Sequence, residues 1–264
     1  MLKGAIHIHS TYSDGEFTLP ELRTLFSAEG CSFVCMTDHA EWFDERSLAS
    51  YIEECAALSD DKFRFVHGLE YECEQRMHIL GYGAEKLAST QDPQQVIRHI
   101  EAQRAISVIA HPKDTFFSWI ETFETLPVGI ETWNSKYDSR YAPRPGTFAL
   151  LQRLQQRKPE MLAFYGQDLH WRKQFHGLFV QLTCQSNDRA EILNALRRGE
   201  YSGSKDNLSL PSSGKLSADL LAEFDLQHRK SDRMRNVFKS GKKALDRMGI
   251  KVPASVKAKL RGIF

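Results

Sequence analysis

Side chains able to bind a divalent metal recur at the ends of short β-like runs. His7 and His9 close the first run, and Asp38 and His39 follow the second. Glu70 ends the third, His78 lies in the fourth, His111 follows the fifth, and Asp168 and His170 follow the seventh. The chain has 10 histidines, and random placement would not keep that register. His7 and His9 are two apart on a strand, so both imidazoles project from one side. Neutral imidazoles with carboxylates form a shell suited to Zn²⁺, Mn²⁺ or Fe²⁺. A lone His-x-His is more often one polar face of a half-buried strand, so the pair needs support from its surroundings.

The elements that must position these groups alternate in type. Strand-like runs cover Gly4–His9, Ser32–Thr37, Phe63–Glu70, Met77–Gly81, Ser107–Ala110, Val128–Trp133, Leu162–Gly166 and Leu178–Leu182, rich in Ile, Val and Phe. Helix-length stretches lie between most of them: Thr18–Glu29, Ser47–Leu58, Pro93–Arg104, Gly146–Gln156 and Asp188–Arg198. The first helix has Thr18 or Leu19 near its cap and Pro20 in its first turn. Alternating β and α elements indicate α/β architecture with a mainly parallel sheet. Where parallel strands close into a barrel, their ends converge on one face and build an active site there. Residues Ser204–Ser217 are polar, hold Pro211 and Gly214, and read as a linker. The expected organisation is a domain over 1–203, a linker over 204–217, and a basic, partly helical extension over 218–264.

The stretch His7-Ile8-His9-Ser10-Thr11-Tyr12-Ser13-Asp14-Gly15 resembles the first motif of the polymerase and histidinol phosphatase (PHP) family. Thr37-Asp38-His39, Gly68-Leu69-Glu70, His78-Ile79-Leu80-Gly81-Tyr82, Ala110-His111-Pro112 and Gly166-Gln167-Asp168-Leu169-His170 resemble its later motifs, in the family's order. The resemblance runs from residue 4 to about residue 200. It implies a distorted (β/α)7 TIM-like barrel with two or three divalent metal ions at its mouth. By the same resemblance His7, His9, Glu70 and Asp168 would hold one metal. Asp14, His39 and the bridging Glu70 would hold a second, and His78, His111 and His170 a third. Every expected ligand position carries a competent side chain, which implies an active enzyme. Asp14 in Ser-Asp-Gly is similar to members acting on nucleotides or short oligonucleotides, where others have His.

The implied reaction is metal-dependent hydrolysis of a phosphate ester, either a phosphomonoester or a terminal phosphodiester. Clustered cations acidify bound water and neutralise phosphate oxygens. A bridging carboxylate can hold two of them ~3.5–4 Å apart. The nucleophile would be a metal-bridging hydroxide. Asp38 would orient a ligand or take a proton, unless it only caps a turn. Lys113, and Arg172 with Lys173, follow the His-Pro and Asp-x-His motifs and could bind substrate phosphate. Arg140 and Arg144 are weaker candidates. Glu131 reads as orienting a neighbour rather than binding metal. His67, His99 and His228 read as structural or surface residues. A protein phosphotyrosine phosphatase is the rival enzyme, and a non-catalytic, metal-stabilised binding module is the rival from another class.

Composition bounds the remainder. With 264 residues, 41% hydrophobic and 26% charged, the chain suits a folded core rather than a disordered or collagen-like polymer. No apolar run approaches the ~20 residues of a membrane-spanning helix, and the N-terminus lacks a secretory pattern. Five cysteines without CxxC spacing read as reduced thiols, which points to the cytoplasm. The formal charge of +1 conceals a split: residues 229–264 carry a net +10, leaving −9 for the rest. Such a basic tail could meet a membrane surface, a nucleic acid or an acidic protein, or dock as a helix.

Overall fold

The computed structural model describes residues 1–139, 141–230 and 233. The chain opens with β1 (Leu2–Ile8), α1 (Leu19–Ala28), β2 (Phe33–Met36), β3 (Asp38–His39), α2 (Glu45–Ala57), β4 (Arg64–Val66) and β5 (Gly68–Glu72). It continues through β6 (His78–Tyr82), α3 (Pro93–Ala102), β7 (Ile106–Ile109), α4 (Phe117–Glu121), β8 (Gly129–Asn134), α5 (Pro145–Gln155) and β9 (Leu162–Gly166). It closes with β10 (Phe179–Leu182), α6 (Arg189–Arg198), β11 (Tyr201–Lys205) and β12 (Leu208–Pro211).

Local chemistry explains the helix boundaries. Thr18 precedes α1, where its backbone N–H and hydroxyl both donate to Glu21 at 2.8 Å. Asp44 caps α2 by accepting from the Ser47 backbone N–H at 2.7 Å. Asp92 does the same for α3 through Gln95, with Pro93 in the first turn.

The strands form two mixed six-stranded sheets. One has the order β12-β11-β10-β1-β2-β4, the other β3-β5-β6-β7-β8-β9. The mainly parallel sheet expected from the alternation is therefore only partly realised. β1, β2 and β4 are parallel, as are β7, β8 and β9, but β10 runs antiparallel to β1, and β6 to both β5 and β7. The chain passes from one sheet to the other at Thr37, between β2 and β3, and at His67, between β4 and β5. The single strand expected over Phe63–Glu70 is split by that crossing. On the other side the sheets touch through a parallel bridge between Ile8 and Leu169. Their facing surfaces meet in a buried core where the Phe164 ring lies 5.9 Å from Tyr82 and 5.5 Å from Tyr201.

The first part of the stretch expected to be a linker, through Pro211, belongs instead to a hairpin. β11 and β12 pair antiparallel and extend the first sheet, and Gly203, the anticipated boundary, lies inside β11. Their serine-rich sequence hides this, because within the two strands only Tyr201, Gly203 and Leu210 are buried. Residues 218–230 are helical, bury Phe224, and bring His228 Nε2 to 3.0 Å from the Ala142 carbonyl. The rest of the basic extension, apart from Arg233, lies outside the described residues, as does Arg140. No helix among the described residues is long and apolar enough to cross a membrane. All five cysteines are free thiols, four of them buried.

Candidate metal centre

The ligand-type residues come from the end of β1 and the loop after it, from β3, the middle of β5, the start of β6, and the loops after β7 and β9, and strained backbone helps to turn them inward. His7 takes φ 61° at a point where the β1–β2 register slips between Ile6 and Ile8. His111 takes φ 27° and Asp168 φ 52°. Left-handed backbone costs a non-glycine residue of order 1–3 kcal/mol and concentrates at functional sites. Two glycines make room for the close packing. A Cβ on Gly166 would collide with the Glu131 carboxylate, and one on Gly15 would lie 2.6 Å from the His9 carbonyl oxygen.

Asp38 shapes the loop that carries Asp14. Its carboxylate accepts from the Ser10 backbone N–H at 2.7 Å, the Ser10 hydroxyl at 2.9 Å and the Ser13 hydroxyl at 2.7 Å. Burial raises its pKa, against the pull of those donors. These contacts make Asp38 a brace for the Ser10–Ser13 turn.

Glu70 lies at the centre, buried to 1% exposure. Oε1 is 2.7 Å from His78 Nδ1 and 3.2 Å from His111 Nε2. Oε2 is 3.4 Å from His7 Nε2, 3.2 Å from His9 Nε2 and 3.6 Å from His39 Nδ1. Asp168 Oδ1 lies 3.9 Å from His7 Nε2, 4.0 Å from His9 Nε2 and 3.1 Å from His170 Nδ1. Asp14 Oδ1 faces His170 Nε2 at 3.2 Å, His39 Nε2 at 3.6 Å and His9 Nδ1 at 3.7 Å. Behind them Glu131 accepts from His7 Nδ1 at 2.7 Å, from the His111 backbone N–H at 2.9 Å and from Asn134 Nδ2 at 2.9 Å. A carboxylate on one imidazole nitrogen leaves the other nitrogen's lone pair aimed into the cluster.

Charge in the cluster is tightly balanced. Burial pulls the His7 imidazole down, but Glu131, Asp168 and Glu70 hold it well above its ordinary value. Burial, with His170 and His7 adding repulsion, drives His9 down to about 3. Burial also opposes the charge on His170, but Asp14 and Asp168 raise it to about 9. Glu70 and Asp168 would be raised by burial, yet the imidazoles around them hold both well below the carboxylate range.

The donor set fits divalent metal on a direct test. His7 Nε2, both ring nitrogens of His9, His39 Nδ1 and Asp14 Oδ1 are buried without a hydrogen-bond partner. Buried polar atoms are nearly always paired, so orphans that converge on one space indicate a ligand. Four overlapping groups have donor atoms within 4.8 Å of one another: His9, Asp14, His39 and His170; His7, His9 and Asp168; His7, Glu70 and His111; and His39, Glu70 and His78. All nine sequence-picked ligands are thus brought together. The third set drawn from the resemblance is rearranged, since His170 joins Asp14, His39 and His9 rather than His78 and His111.

The sequence-picked substrate cations lie farther out. Lys113 and Arg172 are exposed and rest on the rings of Phe116, at 5.3 Å, and Phe17, at 5.0 Å. Arg144 is tied to Asp138 at 2.9 Å. The cation that reaches the cluster is Lys136, which sequence reasoning missed. Its Nζ lies 2.9 Å from Asp168 Oδ1 and 3.3 Å from His170 Nδ1. Burial lowers its pKa, but Asp168 outweighs that and raises it, so the ammonium persists. One signal could have found it: Lys136 follows the end of β8 as Lys113 follows β7.

The PHP domain family model matches residues 5–249. A two-domain protein from Bacteroides vulgatus ATCC 8482, containing a predicted PHP-like metal-dependent phosphoesterase, superposes with TM-score 0.55 at 17% identity. That match covers 84% of this chain and 68% of the other. PsfC from Pseudomonas syringae PB-5123 superposes with TM-score 0.52 at 12% identity, over 87% of this chain and 98% of its own. A 79-residue stretch is 29% identical to the DNA polymerase/3'-5' exonuclease PolX of Bacillus subtilis (strain 168). It covers 27% of this chain and only 14% of that polymerase's length.

Proposed function

This chain belongs to the PHP domain family, and from that premise we propose that it is a metal-dependent phosphoesterase. Its substrate is a phosphomonoester or a terminal phosphodiester. The observation that carries the reading is the set of unpartnered, buried imidazole and carboxylate atoms converging around Glu70. His7, His9 and Asp168 would hold one divalent ion, and His9, Asp14, His39 and His170 another, with Glu70 facing both groups. His78 and His111 complete the donor set on the far side of Glu70. Bound there, Zn²⁺, Mn²⁺ or Fe²⁺ supplies Lewis acidity, acidifying water and neutralising phosphate charge.

The chain's own residues do the positioning. Glu131 fixes the His7 ring and the His111 backbone together. Asp38 braces the turn that presents Asp14. Lys113 and Arg172 are rim cations that would draw a phosphate toward the mouth by charge. We read the two mixed sheets as the two halves of the family's distorted barrel, the arrangement in which these strand ends would share one mouth. Asp14 and the likeness to a DNA polymerase/3'-5' exonuclease favour a nucleotide or short oligonucleotide substrate.

The test is hydrolysis of a chromogenic phosphomonoester and a phosphodiester analogue, with and without Mn²⁺, followed by a panel of mononucleotides, short oligonucleotides and phosphotyrosine peptides. Metal-dependent turnover with preference for nucleotide esters is expected. Preference for the phosphopeptides would replace the substrate assignment. A metal-loaded protein inert toward the whole panel would favour the binding-module reading.

A further inference from the structure

Lys136 is a permanent cation placed among groups otherwise arranged to receive a metal. Its backbone is pinned from several sides. Asn134 Oδ1 accepts from the Lys136 N–H at 3.1 Å and the Tyr137 N–H at 3.0 Å. The Asp138 N–H donates to the Asn134 carbonyl at 2.9 Å, and Asp138 Oδ2 accepts from the Asn134 N–H at 2.9 Å. Ser135 ties the turn to the end of β9 through the Gly166 carbonyl and to the next residue through the Gln167 carbonyl. The turn therefore holds still, while four rotatable side-chain bonds leave the ammonium free to change partners.

Two partners hold the ammonium at once in its one observed position. One is Asp168 Oδ1, the oxygen that His7 Nε2 and His9 Nε2 also face. The other is the ring of Tyr137, whose centroid is 5.0 Å from Nζ. Tyr137 is 47% exposed and lies against His111 with ring centroids 4.6 Å apart, so it leads from the cluster to the surface. A divalent cation on Asp168 would satisfy that carboxylate and repel the ammonium. The displaced ammonium would then sit at the mouth, where an anionic group must enter. Lysine serves phosphate there as a mobile point charge.

Resting on the metal-dependent phosphoesterase reading, we propose that Lys136 is a metal-responsive phosphate ligand. Its ammonium neutralises Asp168 while that carboxylate lacks a metal, and it turns to the phosphate of the substrate once a divalent ion has taken its place. Lys136 thus competes with the metal and cooperates with the substrate.

The experiment compares wild type, Lys136→Met and Lys136→Arg, with a circular dichroism melt to confirm folding. Mn²⁺ and Zn²⁺ affinities are measured by competition with a chromogenic chelator. Affinity for inorganic phosphate is measured by calorimetry on the metal-loaded proteins, without turnover. Lys136→Met should bind metal about tenfold more tightly and phosphate about tenfold more weakly, a single charge-assisted contact in each case. Lys136→Arg should recover phosphate affinity. If Lys136→Met binds metal no tighter than wild type, or binds phosphate equally well, the assignment is overturned. Should wild type take up neither metal, the phosphoesterase reading falls and takes this assignment with it.

Discussion

His7 and His67 are both buried imidazoles beside carboxylates, and their surroundings could hardly differ more. His67 Nε2 is 3.2 Å from Glu85, and Arg189 holds that same carboxylate at 2.8 Å. Glu85 is half-exposed, so water and a guanidinium share its charge. Burial, reinforced by Arg189, lowers the His67 pKa to about 4, and the ring stays neutral. Around His7 there is no such closure. Among the described residues, the ion pairs of Glu70 and Asp14 are with histidines alone, and only Asp168 adds a lysine. A structural histidine is partnered within the fold. The metal-type cluster keeps lone pairs unmatched and leaves Glu70 and Asp14 without a permanent counter-ion, at the cost of strained backbone at His7, His111 and Asp168.

That contrast can be broken most severely at Glu70. Glu70→Ala should remove most bound metal and lower hydrolysis by about 10³-fold or more, the scale of losing a transition-state charge stabiliser. Full metal content and turnover in this variant would sink its central place. Glu131→Gln should act next most strongly, because an amide cannot accept from His7, His111 and Asn134 together. Metal affinity should drop by roughly 10–100-fold, and elevated metal in the assay should restore part of the rate. Unchanged affinity would show that His7 needs no orienting partner.

His67→Gln sharpens the other half of the comparison. Wild-type His67 stays neutral in the fold below the pH at which the unfolded chain takes up its proton. Stability is therefore lost as pH falls from about 6.5 toward 4. Removing the imidazole should flatten that limb by about 1–2 kcal/mol at pH 5, read by urea titration, with metal content unchanged at neutral pH. An equally steep limb would move the acid sensitivity to another group.

The site was more legible in the sequence than the sheet around it. Ligand residues declare themselves by type and by their position after strand ends, and no packing detail is needed to find His7, Glu70 or Asp168. β9 matched over Leu162–Gly166 for a related reason, since a buried parallel strand reads as one apolar run. The β11–β12 hairpin was hidden because an edge pair buries few side chains, and serine-rich strands resemble a loop. Strand direction was hidden too: the same residues make β6 whether it runs parallel or antiparallel to β5. Which histidines share a carboxylate was fixed by bulges and left-handed residues that no spacing rule exposes. Lys136 was missed because a lysine after a strand is usually a solvated loop charge.

The most direct measurement is elemental analysis of the purified chain after reconstitution with Mn²⁺ or Zn²⁺ and removal of free ions. Two or three divalent ions per chain are expected, reduced to one or none in Glu70→Ala. A wild-type chain that retains no metal would contradict the claim that these orphaned imidazoles and carboxylates form a metal centre.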